Sequence, residues 1–422
     1  MFGLGEAVVI GYDLSNEYAQ ISYMSKSDDM ARTLSLTRDS EDYNIPACLF
    51  KRGEVNQWFV GREAINYSSL DEGEMVYSLW ERALIGDNVS VGGEDFDPIA
   101  LLALFVRRTL ALLYSEVNRD SIKGIMFTVP SLTTRSIEVL EAVSLNLGLS
   151  DVKCAYQGRE ESIYYYCINQ PVELWQRDVL VYEYDKGPMN AYHFHVNTNT
   201  RPNVALTTLK SYVPEEMGSN QDNAFLAIIK DSIGSSIVSS SYLLGDGFDG
   251  DWMKDSIGEL CRGRRAFKGN NLYSRGAVYA CREKVGLCGK NAKIIFLGKD
   301  KLIANVGMEV QSGDGVKYLA LLDGGENWFD SKTTVDVILD KGNSFVLTIT
   351  PLDGRNVRNV EIILDGLQEH EPKALRIRLE LVMESETELR VNVTDLGFGD
   401  FLKATNQLFT QKIDLNPVKK DE

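Results

Sequence analysis

A chain of 422 residues is longer than one ordinary domain of roughly 100–200 residues, and its 44% apolar residues supply cores for two or three. A net charge of −17, with Arg262-Gly263-Arg264-Arg265 as the basic cluster, argues against nucleic acid or an anionic membrane as partner. Six cysteines without a C-x-x-C pair read as reduced thiols of a cytoplasmic protein, and neither a signal peptide nor a membrane span of roughly 18 apolar residues is expected.

The first readable element is a hairpin over residues 8–22. Apolar residues run from Val8 to Gly11, Asp13 closes the strand, Ser15-Asn16-Glu17 forms the turn, and Tyr18 to Ser22 alternate on the way back. Further strands are expected at residues 33–36, 45–50 and 58–61, with a helix from Arg62. A long helix follows over residues 97–108, with Asp97 as N-cap and Pro98 in the first turn, where its missing N–H costs nothing. Residues 124–130 read as a buried strand, Thr134 to Leu147 as a helix stopped by Gly148, and residues 152–155 as a strand. Strand, helix and strand in this order define an α/β fold with parallel pairing.

The second half begins with a strand at Asp178 to Tyr184 that mirrors the opening one. It turns at Asp185-Lys186-Gly187-Pro188 and returns through Ala191 to Val196, so two similar subdomains facing a cleft are expected. A helix at residues 220–231, a strand from Ser240 into Gly245-Asp246-Gly247, a helix at residues 250–260 and a last helix at residues 272–285 complete this half. Beyond Lys293 the pattern alternates with period two and is punctuated by glycine turns. Residues 301–418 read as about eight strands, a β-sandwich by strand count.

The order of these parts resembles the seventy-kilodalton heat-shock chaperones of the actin-like ATPase superfamily. Phe127-Thr128-Val129-Pro130-Ser131 and its following helix are similar to that family's TVPA strand and helix. Asn271 to Ala280 resembles its closing AVAxGAAxxA helix, and Ile294 to Leu297 its hydrophobic interdomain linker. Val306-Gly307-Met308-Glu309 and Leu389 to Asp395 resemble the LGIE entry and LxVxAxD strand of its peptide-binding domain. The resemblance implies an actin-like lobe I over residues 1–172, a reduced lobe II over 173–290, an apolar linker over 291–302 and a peptide-binding β-sandwich over 303–418. It also implies ATP or ADP with Mg²⁺ as ligand, Asp13 and Glu183 as candidate catalytic carboxylates, and Asp13 as a metal holder through water. Gly11, Asp13, Ser15, Asn16, Gly187, Gly245, Asp246 and Gly247 would form the nucleotide loops.

Several residues depart from the family pattern. Ile65 stands where a catalytic lysine follows the family's GDAA. Pro188 replaces a threonine near the attacking water and offers no N–H to a phosphate. Ser15-Asn16-Glu17 puts a carboxylate in the first phosphate turn, and Asp246, Asp249 and Asp251 crowd the adenosine-side turn, where an anion is unwelcome. Only residues 197–235 stand in place of a large lobe, and with the chain ending at 422 the family's helical lid is expected to be missing.

Three readings remain. The first is a chaperone-like or regulatory protein with a degenerate nucleotide cleft, no bound cofactor or only weak ATP binding, and a peptide or protein partner on residues 303–418. The second is an active actin-like ATPase with re-routed carboxylates. The third is a ligand-free structural interaction protein. Elsewhere, His193 and His195 share a strand face and suit either a metal or a cross-strand pair. Tyr164-Tyr165-Tyr166 reads as packing, and Glu183 reads alternatively as a surface partner of Lys186. Neither a G-x-S-x-G elbow nor an H-E-x-x-H pair supports a hydrolase.

Overall fold

The computed structural model describes residues 6–37, 40–53, 56–149, 151–185, 187–200, 202–213, 220–289, 294–313, 315–352 and 356–416. The chain divides into two units, Met1–Ile294 and Ile295–Glu422.

The first unit is a mixed α/β region built on two sheets. The opening strand Val8–Leu14 is buried along its whole length, as its apolar run requires. It pairs antiparallel with Tyr18–Ser25 and parallel with Ile122–Val129, which in turn pairs parallel with Lys153–Gly158. Arg32–Thr33 and Ile45–Pro46 both add to the outer side of Tyr18–Ser25.

The second sheet repeats the five-strand path of the first and adds Ile294–Phe296 beyond its hairpin side. Asp178–Glu183 pairs antiparallel with Met189–Asn197 and parallel with Val238–Leu244, and Arg265–Lys268 runs parallel beyond it. Asn203–Tyr212 extends the hairpin side. In each sheet a hairpin's first strand therefore lies at the centre, with a parallel strand brought in by a helical crossover.

Two helices tie the halves together. The helix Arg159–Ile168 leaves the first sheet, and the closing helix Leu272–Lys284 lies against it. Their approach is close enough that a Cβ on Gly276 would stand 2.1 Å from the Ser162 carbonyl oxygen. The closing helix also crosses the opening strand at Gly11, where a Cβ would stand 2.1 Å from the Ser274 carbonyl oxygen and 2.6 Å from the Val278 nitrogen.

The helix expected at residues 97–108 runs over Pro98–Leu112, and the Asp97 carboxylate accepts the Ile99 N–H at 2.9 Å, capping it. Against the sequence-based expectation, Pro98–Ser115 is long and apolar enough to cross a membrane. Its apolar residues are used otherwise: Leu101, Leu102, Phe105, Val106 and Leu110 are buried in the core cluster around the opening strand. The helix expected at residues 250–260 is shorter. A 3₁₀ turn occupies Asp246–Phe248, Gly250 takes φ +85°, and the helix spans Asp255–Leu260. Its start is fixed by Asp222, whose carboxylate accepts the N–H groups of Lys254, Asp255 and Ser256. The strand expected at residues 33–36 shrinks to Arg32–Thr33. Of the apolar linker expected at residues 291–302, residues 291–293 lie outside the described residues, and Ile294–Phe296 is a short strand.

The second unit is all-antiparallel. Gly315–Leu322, Ala304–Ser312, Ser344–Pro351 and Arg358–Ile363 form one four-stranded sheet in that order. Lys332–Leu339, Leu375–Met383, Glu388–Asp395 and Leu408–Asp414 form the other. Period-two alternation sets the inner faces: Leu375, Ile377, Leu379, Leu381 and Met383 are buried, as are Leu389, Val391 and Val393. The buried Asp395 carboxylate accepts from Gln368 Nε2 at 2.6 Å, the Gly397 N–H at 2.7 Å and Thr405 Oγ1 at 2.5 Å, which fastens the loop after its strand.

Candidate functional site

The ends of the two central strands carry the two candidate carboxylates, and the structure brings both onto one cation. Asp13 sits opposite Gln20 and Thr128 in its sheet and is fully buried. Glu183 ends its own strand and is 7% exposed. Between them lies Arg159, the first residue of the helix Arg159–Ile168, itself 6% exposed.

Its guanidinium donates to Glu183 Oε1 and lies 3.7 Å from Asp13 Oδ1, an ion pair too long to be a hydrogen bond. The guanidinium also rests over the Tyr273 ring, 4.6 Å from its centroid. Glu183 is further held by Asn190 Nδ2 at 3.2 Å and by the Tyr192 hydroxyl at 3.4 Å. Asp13 has no such help, and neither of its oxygens has a hydrogen-bond partner.

The electrostatics follow from this asymmetry. Burial pushes the Asp13 carboxyl up from its ordinary 3.8 to about 6; Arg159 pulls it down, and Glu183 pushes it up again. Burial works against the Arg159 charge, but Glu183 and Asp13 outweigh it and hold the guanidinium above its ordinary pKa. The Glu183–Arg159 pair is thus the neutral, hydrogen-bonded half of the cluster, and Asp13 is the strained third charge. Chemically, the position between the two carboxylates is already filled by a cation of the chain itself. A divalent ion bridging Asp13 and Glu183 would have to displace that guanidinium. Among the described residues, no group of three or more His, Cys, Asp or Glu side chains is arranged to hold a metal.

The turn residues named from the sequence serve the protein's own backbone. The Ser15 hydroxyl accepts the N–H groups of Glu17 at 3.3 Å and Tyr18 at 3.2 Å, closing its own turn. The Asn16 side chain accepts the Glu81 N–H at 2.8 Å, at the start of the helix Leu79–Ile85. Gly11 is covered by the closing helix.

At the other turn, Gly245 takes φ +100° and donates its N–H to Asn270 Oδ1 at 2.9 Å. The Asp246 N–H goes to Asp185 Oδ1 at 3.0 Å, and the Gly247 N–H to the Tyr184 carbonyl at 2.9 Å. Three consecutive N–H groups that could cradle a phosphate are therefore committed. Gly187 alone faces open space, with nothing within 4 Å of a Cβ built there. Its neighbour Lys186, the partner expected for Glu183, lies outside the described residues; among those described, Arg159 pairs with Glu183.

Arg159 is the residue that sequence reading misses. One signal was available: a cation in the first turn of a helix opposes the helix dipole, so an arginine there calls for a buried acid nearby. The histidines form a different cluster. His193 Nε2 and His195 Nδ1 lie 2.6 and 2.7 Å from the two oxygens of Asp178, a cross-strand arrangement on the second hairpin. Of the tyrosine run, Tyr164 and Tyr166 are buried in the helix Arg159–Ile168.

Fold and site together define a chain with a mixed α/β region on two like sheets, followed by an all-antiparallel β region. Residues 30–299 match the model described as the C-terminal part of a family of unknown function (DUF5716), and the chain belongs to that family. Residues 301–415 match a domain of unknown function (DUF8552). No curated protein matches the chain.

Proposed function

We propose that this protein is a chaperone-like or regulatory binding protein, a degenerate relative of the seventy-kilodalton heat-shock chaperones. In this reading residues 1–290 are a two-lobed actin-like scaffold that works without nucleotide, and residues 303–418 are a β-sandwich that takes a peptide or protein partner. The observation that carries it is Arg159, whose guanidinium pairs with Glu183 and lies 3.7 Å from Asp13, between the two carboxylates that an actin-like ATPase would use for Mg²⁺. The committed N–H groups of the 245–247 turn support the same reading.

The partner-binding half rests on open sheet edges. Gly315–Leu322 and Lys332–Leu339 each end a sheet. Val316, Tyr318 and Ile338 are more than half exposed on them, at 67%, 51% and 53%. Edge strands with apolar side chains accept an added strand through main-chain hydrogen bonds.

The test titrates the full-length protein into a fluorescein-labelled panel of extended apolar peptides. Saturable rises in anisotropy are expected, with dissociation constants unchanged by millimolar ATP and Mg²⁺. A panel that gives no binding removes the peptide reading. A shift of about tenfold on adding ATP, or 1.4 kcal/mol, removes the nucleotide-independent scaffold.

A further inference from the structure

Within the first unit lies a cavity of about 250 Å³ that none of the cleft residues above line. Its walls are aromatic. Tyr242 stacks on Phe267 with ring centroids 5.1 Å apart and meets the edge of Tyr166 at 5.5 Å, while Tyr43 closes another side. Tyr242 stands on the strand face opposite Leu243, and Leu243 belongs to the apolar core of that half. The aromatic wall is therefore separate from the core proper.

One cation on this wall has no counter-ion among the described residues. The Arg275 guanidinium carbon lies 5.4 Å from the centroid of Tyr166, and its Nε is buried without a hydrogen-bond partner. Among the described residues no carboxylate makes an ion pair with it, although the chain holds 61 acidic residues against 44 lysines and arginines. The other cation at the cavity, Lys268, is held by Asp249 at 2.6 Å and by the Phe248 carbonyl at 3.1 Å. A half-buried guanidinium fixed on an aromatic face, paired with no carboxylate among the described residues, presents donors to an incoming anion.

We propose that this cavity binds a small planar aromatic carboxylate, with its ring against Tyr242 and Tyr166 and its carboxylate on Arg275. The volume lies below the roughly 300–1,000 Å³ of drug-sized pockets, which restricts the ligand to one ring or a fused pair. A carboxylate suits the site better than a phosphate. A single guanidinium faces it, Glu41 on the rim opposes a second negative charge, and no glycine-rich turn cradles it. The inference is independent of the nucleotide reading of the cleft.

The experiment is calorimetric titration of the full-length protein with indole-3-carboxylate and benzoate, each against its neutral carboxamide. The expected result is saturable binding of at least one acid, at least about tenfold weaker for its amide, as the loss of a charge-assisted hydrogen bond implies. Arg275→Gln is expected to weaken the acid by a similar factor and leave the amide unchanged, with Arg275→Lys restoring part of the affinity. The comparison of acid with amide on the unaltered protein does not depend on the variant folding. No binding of either acid, or equal binding of acid and amide, overturns the proposal.

Discussion

Arg159→Met is expected to destabilise the protein by about 3–5 kcal/mol, the cost of leaving buried charges without their partner. The methionine fills much of the arginine's volume, so the loss is electrostatic and not a cavity. Glu183 keeps Asn190 and Tyr192 as donors, but Asp13 keeps nothing. Urea unfolding of the full-length variant measures the effect, and an unchanged midpoint would mean that the three groups are not a buried cluster.

Asp13→Asn is the mirror of that change. Because the folded-state pKa of Asp13 is raised, the folded protein binds a proton between pH 4 and pH 6 that the unfolded chain has already released. The contribution of Asp13 is therefore most favourable below about pH 4 and is lost as pH rises through about 6. A rise from 3.8 to about 6 corresponds to about 3 kcal/mol. Asparagine does not titrate, so the stability of Asp13→Asn relative to the unaltered protein is expected to grow by up to that amount between pH 4 and pH 8. A pH-independent difference would remove the burial argument.

Gly11→Ala has the second large effect, an expected loss of about 3 kcal/mol or more. The new methyl would stand 2.1 Å from the Ser274 carbonyl oxygen, 2.6 Å from the Val278 nitrogen and 2.8 Å from the Ala277 Cβ. These atoms belong to the closing helix, two of them to its backbone, so no flexible side chain can swing aside. The helix would have to lift from the opening strand. Gly187→Ala provides the contrast, since a methyl there meets nothing within 4 Å, and its expected cost lies within about 0.5 kcal/mol. Thermal unfolding of the two variants separates a glycine required by packing from one that is not.

Much of the scaffold was legible because its signals are local. Alternation placed Leu375–Met383 and Glu388–Asp395, and the period change near Lys293 marked the passage from α/β to all-β. The apolar run into Asp13 and its echo at Asp178 to Glu183 disclosed two hairpins of like plan, which became the centres of two like sheets. The site was less legible because its decisive contacts are distant in sequence. Arg159 lies 146 positions from Asp13 and 24 from Glu183 along the chain, and no local pattern encodes either pairing. Glu183 read as a neighbour of Lys186 because sequence proximity was the available guide. The glycines at 245 and 247 announced a tight turn, but Asn270 and Asp185 as acceptors of its N–H groups could be found only from the fold. The helix at residues 250–260 was overextended for the same reason, since Asp222 sets its first residue from another helix.

The most direct test of the central claim is calorimetric titration of the purified full-length protein with ATP and ADP, each with and without Mg²⁺. With Arg159 seated between Asp13 and Glu183, no heat of binding and no shift in melting temperature at millimolar nucleotide are expected. Micromolar binding that depends on Mg²⁺ would show that the guanidinium yields its place to the metal, and would contradict the account.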